Sequence, residues 1–130
     1  MNDTWLYDYA ANTWTQIHPD TPPPARTRAG MVYDSHNDVM ILTCGNDSHY
    51  GAGYNAGTWL HDTWILDVEA KTWTKMNPVL QPVCGEKTWQ PAYDPVSNVM
   101  VVVDENSSTW VYRYKNAGRQ TGTNNIPAAR

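Results

Sequence analysis

The sequence has no phenylalanine, two cysteines, and nine lysines and arginines against thirteen aspartates and glutamates. The few cations are scattered singly and build no stripe that could neutralise a phosphate backbone, so nucleic acid is not an expected partner. Apolar runs stop at about five residues, as in Val99 to Val103, far short of the roughly 20 that a membrane-spanning helix needs. No membrane partner is expected either. The first residues, Met1-Asn2-Asp3-Thr4-Trp5, lack the basic and apolar regions of a signal peptide. The expectation is a chain that is not exported by that route, or one whose true start lies upstream; the compartment is left open.

Catalytic signatures are missing as well. There is no Gly-x-Ser-x-Gly elbow, no His-Glu-x-x-His, no Gly-x-x-x-x-Gly-Lys phosphate loop and no Cys-x-x-Cys. The run Gly51-Ala52-Gly53-Tyr54-Asn55-Ala56-Gly57 looks superficially like a dinucleotide loop, but no helical pattern follows it. No cofactor is assigned, and an enzyme is the less favoured reading. Three Asn-x-Ser/Thr triplets, beginning at Asn2, Asn46 and Asn106, are close to the number chance gives in a chain this rich in Asn, Ser and Thr.

What the sequence does contain is aromatic and repetitive. Every aromatic residue is Trp or Tyr, types that pair a large apolar body with a polar tip. Asp3-Thr4-Trp5-Leu6-Tyr7-Asp8 returns as Asp62-Thr63-Trp64-Ile65-Leu66-Asp67, and more loosely as Ser108-Thr109-Trp110-Val111-Tyr112-Arg113. In the first two copies a Thr-Trp-Thr follows, centred on Trp14 and Trp73. A second pair matches too: Val32-Tyr33-Asp34 leads to Val39-Met40-Ile41-Leu42, and Ala92-Tyr93-Asp94 leads to Val99-Met100-Val101-Val102. Pro22-Pro23-Pro24-Ala25-Arg26 is echoed by Asn125-Ile126-Pro127-Ala128-Ala129-Arg130, two periods of about 52 residues later.

Each repeated segment reads as a strand. The segments are short, rich in Val, Ile, Trp, Tyr and Thr, and bounded by turn formers such as Asp34-Ser35-His36-Asn37-Asp38 and Asp94-Pro95-Val96-Ser97-Asn98. No apolar stripe at helical spacing is long enough to stand as a helix. The expectation is an all-β chain of about nine or ten strands. They fall into a partial unit at 3–19, a full four-stranded unit at 24–78, a last unit at 83–119, and the start of another at 125–130.

This pattern resembles the Kelch repeat, a blade with two strands, a Gly-Gly step, and a Tyr and a Trp six residues apart on strands three and four. Tyr7 with Trp14 fits that spacing, and Leu66 with Trp73 fits with Leu in the Tyr place. The Gly-Gly position is Cys44-Gly45 in one unit and Asp104-Glu105 in the next, and Arg119 stands where the last unit's second Trp is expected. The resemblance implies a β-propeller ring of about six or seven blades, of which the chain supplies about two and a half as an incomplete ring. An irregular β-sandwich is the alternative fold, although it does not predict the long-period repeat. WD-type propellers have a similar period, but their Trp-Asp and Gly-His signatures are absent.

Within that frame Trp5, Tyr7, Trp14, Trp64, Trp73 and Trp110 are expected to be blade core, because packed blades must bury large rings. Asp3 and Asp62, which precede the repeated Thr-Trp, are expected to cap turns through backbone N–H groups. Cys44 and Cys84 are expected at the same end of their blades, which leaves a disulfide open. The anomaly is the segment from Gly45 to Asp62, far longer than the two to five residues of ordinary hairpin loops. It carries His49, Tyr50, Tyr54, Trp59 and His61 among Gly and Asn, a composition suited to a binding loop. A metal site from Asp47, His49, His61 and Asp62 is a minor alternative.

The favoured function is therefore a binding module that presents loops to a protein or glycan partner. Further blades would come from a longer chain or from other subunits, and ring completion by oligomerisation is one alternative role. The other is a propeller oxidoreductase of the galactose oxidase type, or a lyase, with its catalytic residues outside this chain. No residue here matches that oxidase's copper ligands.

Overall fold

The computed structural model describes residues 2–48, 57–88 and 90–114. Among them there are nine strands and no helix: β1 (Thr4–Asp8), β2 (Thr13–Ile17), β3 (Gly30–Asp34), β4 (Val39–Thr43), β5 (Thr63–Asp67), β6 (Thr72–Met76), β7 (Ala92–Asp94), β8 (Val99–Val103) and β9 (Thr109–Tyr112). They form three antiparallel meanders, β1-β2, β3-β4-β5-β6 and β7-β8-β9. Sheets of this size, stacked in chain order, are what propeller blades look like. The expected start of a further unit at 125–130 lies outside the described residues.

One turn chemistry closes four hairpins. In each, an Asp ends the first strand and its carboxylate accepts a turn N–H: Asp8 from Ala11 at 2.9 Å, Asp34 from Asn37 at 3.1 Å, Asp67 from Ala70 at 2.8 Å, and Asp94 from Val96 at 2.9 Å. The last turn residue is left-handed each time: Asn12 (φ 50°), Asp38 (54°), Lys71 (57°) and Asn98 (52°). Asn and Asp tolerate that region because their short polar side chains can bond locally, whereas Lys cannot. Three of the turns add a tyrosine clasp: Tyr7 and Tyr33 donate to Asn12 and Asp38 at 2.6 and 2.8 Å, and the Tyr93 hydroxyl lies 2.8 Å from the Asn98 side chain.

The core consists of two inter-sheet layers on either side of the four-stranded sheet. Register sets which residues face which layer, because Leu42 pairs with Trp64 and Leu66 with Trp73, while Ile41 pairs with Ile65. Leu42, Trp64, Leu66 and Trp73 pack on Ile17 and Leu6 of the two-stranded sheet. On the other side Val39, Ile41 and Ile65 meet Met100 and Tyr112 of the three-stranded sheet. The stacking is directional: the tryptophan-bearing face of one sheet lies on the aliphatic face of the sheet before it.

Polar contacts fix both layers. Trp73 donates its indole N–H to Thr4 Oγ at 3.1 Å, and Tyr93 donates to the buried Asp34 at 2.7 Å. Gly30 lies against Pro91 so closely that any Cβ would collide with the proline ring.

This arrangement corrects part of the core expectation. Trp64 and Trp73 are 7% and 6% exposed, and Trp110 is half-buried. Trp5, Tyr7 and Trp14 are instead 48%, 45% and 64% exposed. The physical reason is that their face of the first sheet has no described sheet against it. The Tyr7 and Trp14 rings pack against each other at a tilt of 43°, with centroids 4.9 Å apart.

Candidate functional site: the seated loop between β4 and β5

The connection from β4 to β5 leaves the sheet at the end opposite the hairpin turns. It begins with two residues of positive φ, Cys44 (59°) and Gly45 (108°), which turn the chain off the strand. Asn46 then bridges to Thr27 on one side and to Trp59 on the other. The two arms of the loop are further joined by Leu60 N–H to Gly45 C=O at 2.8 Å, Asp47 N–H to Thr58 C=O at 3.1 Å, and Thr58 N–H to the Asp47 carboxylate at 2.6 Å. Asn46 Oδ1 accepts the Ser48 N–H at 2.7 Å. Gly57 is left-handed (φ 94°) and pressed so tightly on Asn46 and Ser48 that no side chain fits there.

Beneath this base sits a buried ion pair. Arg26 donates to the Asp62 carboxylate from Nη1 at 2.5 Å and from Nη2 at 3.1 Å, with side chains 5% and 12% exposed. Nη1 also donates to Cys44 C=O at 2.9 Å, and Nε to Pro24 C=O at 3.1 Å. Asp62 Oδ2 in turn accepts the Trp64 indole N–H at 2.7 Å. Burial alone would raise the Asp62 pKa, but the hydrogen bonds from Arg26 and Trp64, with the charges of Arg26 and Lys75, outweigh it and hold the carboxyl below its ordinary range.

The carboxylate-to-indole bond recurs, which revises the turn-cap reading of Asp3 and Asp62. Asp3 accepts from Trp5 at 2.8 Å as Asp62 does from Trp64, so the repeated Asp orients the tryptophan two residues later. In the last sheet Asp104 takes both roles. It accepts the Trp110 indole at 2.7 Å and also the N–H groups of Asn106 and Ser108 at 2.9 Å. Burial opposes its charge, yet these donors, with that of Val83, prevail and lower its pKa.

A disulfide ties the loop to the connection between β6 and β7. Cys44 and Cys84 are bonded, with Cα atoms 5.5 Å apart and both residues 3% exposed. Beside it, His61 Nδ1 accepts the Cys84 N–H at 3.0 Å, which requires the neutral ring to carry its proton on Nε2. His61 is thus a strut between the loop and the β6–β7 connection as well as an exposed ring. Trp59, one of the candidate binding-loop residues, is half-buried with its backbone in the bridge to Asn46, so part of its area belongs to the loop base.

His49, Tyr50 and Tyr54 lie outside the described residues. Of the minor metal set, Asp47 is spent on Thr58 and Asp62 on Arg26 and Trp64. Among the described residues no group of three or more His, Cys, Asp and Glu is placed to hold a metal ion. No described helix is long and apolar enough to cross a membrane.

Arg26 is the functional-frame residue that sequence reading missed. Its partner lies 36 positions away, and the available signal was the echo of Pro22–Arg26 at the end of the chain.

Stacked antiparallel meanders with a clasped tryptophan in each sheet describe a blade-type all-β protein. No family model matches the chain. It is 35% identical over 92 residues to Kelch domain-containing protein 10 of Xenopus tropicalis, a match that takes in 67% of this chain and 18% of that protein. The chain therefore spans less than a fifth of the length of that relative.

Proposed function

We propose that the chain is part of a Kelch-type β-propeller, about two and a half blades of it, whose role is to hold a protein partner on the loop between β4 and β5. The similarity to a Kelch domain-containing protein supports the propeller reading. The observation that carries the contact role is the seating of the loop. A disulfide, a buried ion pair, the two Asn46 bridges and the His61 bond hold its base to the segment before β3 and to the connection between β6 and β7. The equivalent connection from β8 to β9 is far shorter and, among the described residues, is tied to the preceding segment by hydrogen bonds of Val83 with Glu105 and Asp104 and of Lys87 with Glu105, with no disulfide or ion pair of its own. Binding surfaces are commonly loops on a rigid scaffold, because a fixed base lowers the entropy lost when a partner docks.

The test uses Thr58→Arg, an exposed position whose backbone N–H can still donate to Asp47. Immobilised wild-type chain should capture a partner from an extract of its source cells, and the variant should lose at least nine-tenths of that capture with an unchanged melting temperature. Equal capture by both proteins would rule the loop out as the contact surface.

A further inference from the structure

We infer that Asn106 is an N-glycosylation acceptor: the triplet Asn106-Ser107-Ser108 stands on the exposed turn between β8 and β9, placed to carry an oligosaccharide on its asparagine. The number of Asn-x-Ser/Thr triplets carries no weight, since chance supplies about as many. What separates them is where the fold puts each one.

Asn46 has no room for a glycan in the folded chain. It is 6% exposed, its backbone bridges to Thr27 and Trp59, and its Oδ1 accepts the Ser48 N–H. Gly57 presses on that same oxygen. A sugar is bulky and needs solvent around it, so one attached here would break the loop base. Asn2 is exposed, but the hydroxyl of its Thr4 accepts the Trp73 indole N–H in the inter-sheet layer. Asn106 is the opposite case to Asn46. Its turn is built through the triplet's backbone: the Asp104 carboxylate accepts the N–H groups of Asn106 and Ser108, and the Asp104 N–H donates to Ser108 C=O, all at 2.9 Å. Asn106, Ser107 and Ser108 are all exposed, so a glycan here replaces solvent rather than packing.

The disulfide is the second observation. Cys44 and Cys84 are bonded, and such bonds form and persist in oxidising compartments, the same setting in which asparagines of secreted proteins receive sugars. In the transfer, the Asn106 side-chain nitrogen attacks the anomeric carbon of an oligosaccharide carried on a lipid diphosphate. A C–N bond forms and the C–O bond to phosphate breaks; the lipid diphosphate leaves with the electron pair, and the nitrogen gives up one proton. The triplet requires the hydroxyl of Ser108 and leaves position 107 open. None of this rests on the contact role of the loop, and its test reads a peptide mass rather than capture.

The full-length protein is purified from its source cells and divided. One half is treated in heavy-oxygen water with an amidase that removes N-glycans and leaves aspartate; the other half is mock-treated. Tryptic peptide 88–113 should gain a heavy-oxygen aspartate at position 106 in the treated half alone, and the peptide holding Asn46 should stay unconverted. Ser108→Ala should abolish that mass shift. Ser107→Gly should keep it, since residue 107 is left-handed (φ 62°), where glycine fits. Unmodified Asn106 in the wild-type protein would overturn the proposal. So would conversion at Asn46, or equal loss of the shift in both serine variants.

Discussion

Removing the Asp62 carboxylate is the sharpest perturbation of the loop's base. Asp62→Ala deletes two charge-assisted bonds from Arg26 and the bond from the Trp64 indole. It leaves a guanidinium whose side chain is 5% exposed with two backbone carbonyls and no counter-charge. Breaking a buried pair on one side costs about 3–5 kcal/mol, and the partial exposure of Asp62 argues for about 3. In a chain of this length that corresponds to a drop in Tm of roughly 10 °C. Asp62→Asn keeps an acceptor oxygen and should cost about half as much. The double replacement Arg26→Met with Asp62→Leu removes the orphaned charge, so it should be more stable than Asp62→Ala.

Acid titration supplies a second arm. The folded-state pKa of Asp62 is lowered, so its contribution is complete above the unfolded value near 3.9 and is lost as pH falls through the lowered folded value. Asp3, Asp94 and Asp104 are lowered too, so the quantity to read is the wild-type minus Asp62→Asn difference, which should shrink below about pH 4. Urea melts followed by tryptophan fluorescence at pH 7 and at acid pH measure both. An Asp62→Ala penalty under about 1 kcal/mol, or strictly additive single and double variants, would refute the reasoning.

Three further outcomes follow from local chemistry. Lys71→Gly should raise the urea midpoint by about 0.5–1 kcal/mol equivalent, because Lys71 sits at φ 57° where glycine carries no Cβ penalty; an unchanged or lower midpoint would contradict that. Opening the disulfide with reductant, or by Cys44→Ser with Cys84→Ser, should cost up to about 4 kcal/mol by the chain-entropy relation for its 40-residue separation, and an identical melt with and without reductant would contradict it. Burial, together with the nearby Tyr114 and Asp34, pushes the Tyr112 phenol up to about 12. Its contribution to stability is therefore full below about pH 10 and lost as pH rises towards 12, and Tyr112→Phe should flatten that part of the alkaline stability curve.

The strands were legible because residue type, period and turn chemistry agree at every repeat. Val39–Leu42 and Val99–Val102 cannot be read otherwise between Asp-rich turns. The stacking direction and the exposed first face were not legible, since burial depends on which sheets lie alongside, and Trp14 and Trp73 have the same local sequence. The Arg26–Asp62 pair was hidden for the same reason: two charges 36 residues apart carry no local sign of meeting. The long loop was visible as a departure from the repeat. Its seating was not, because Asn46, Trp59 and His61 act there through backbone or ring-nitrogen bonds that leave no composition signal.

Amide hydrogen exchange of the chain with and without its captured partner tests the central claim most directly. Protection should appear at residues 45–48 and 57–61, with none at the hairpin turns 9–12, 35–38 and 68–71 on the opposite end of the sheets. Protection confined to those turns, with the loop base exchanging as in the unbound chain, would contradict the account.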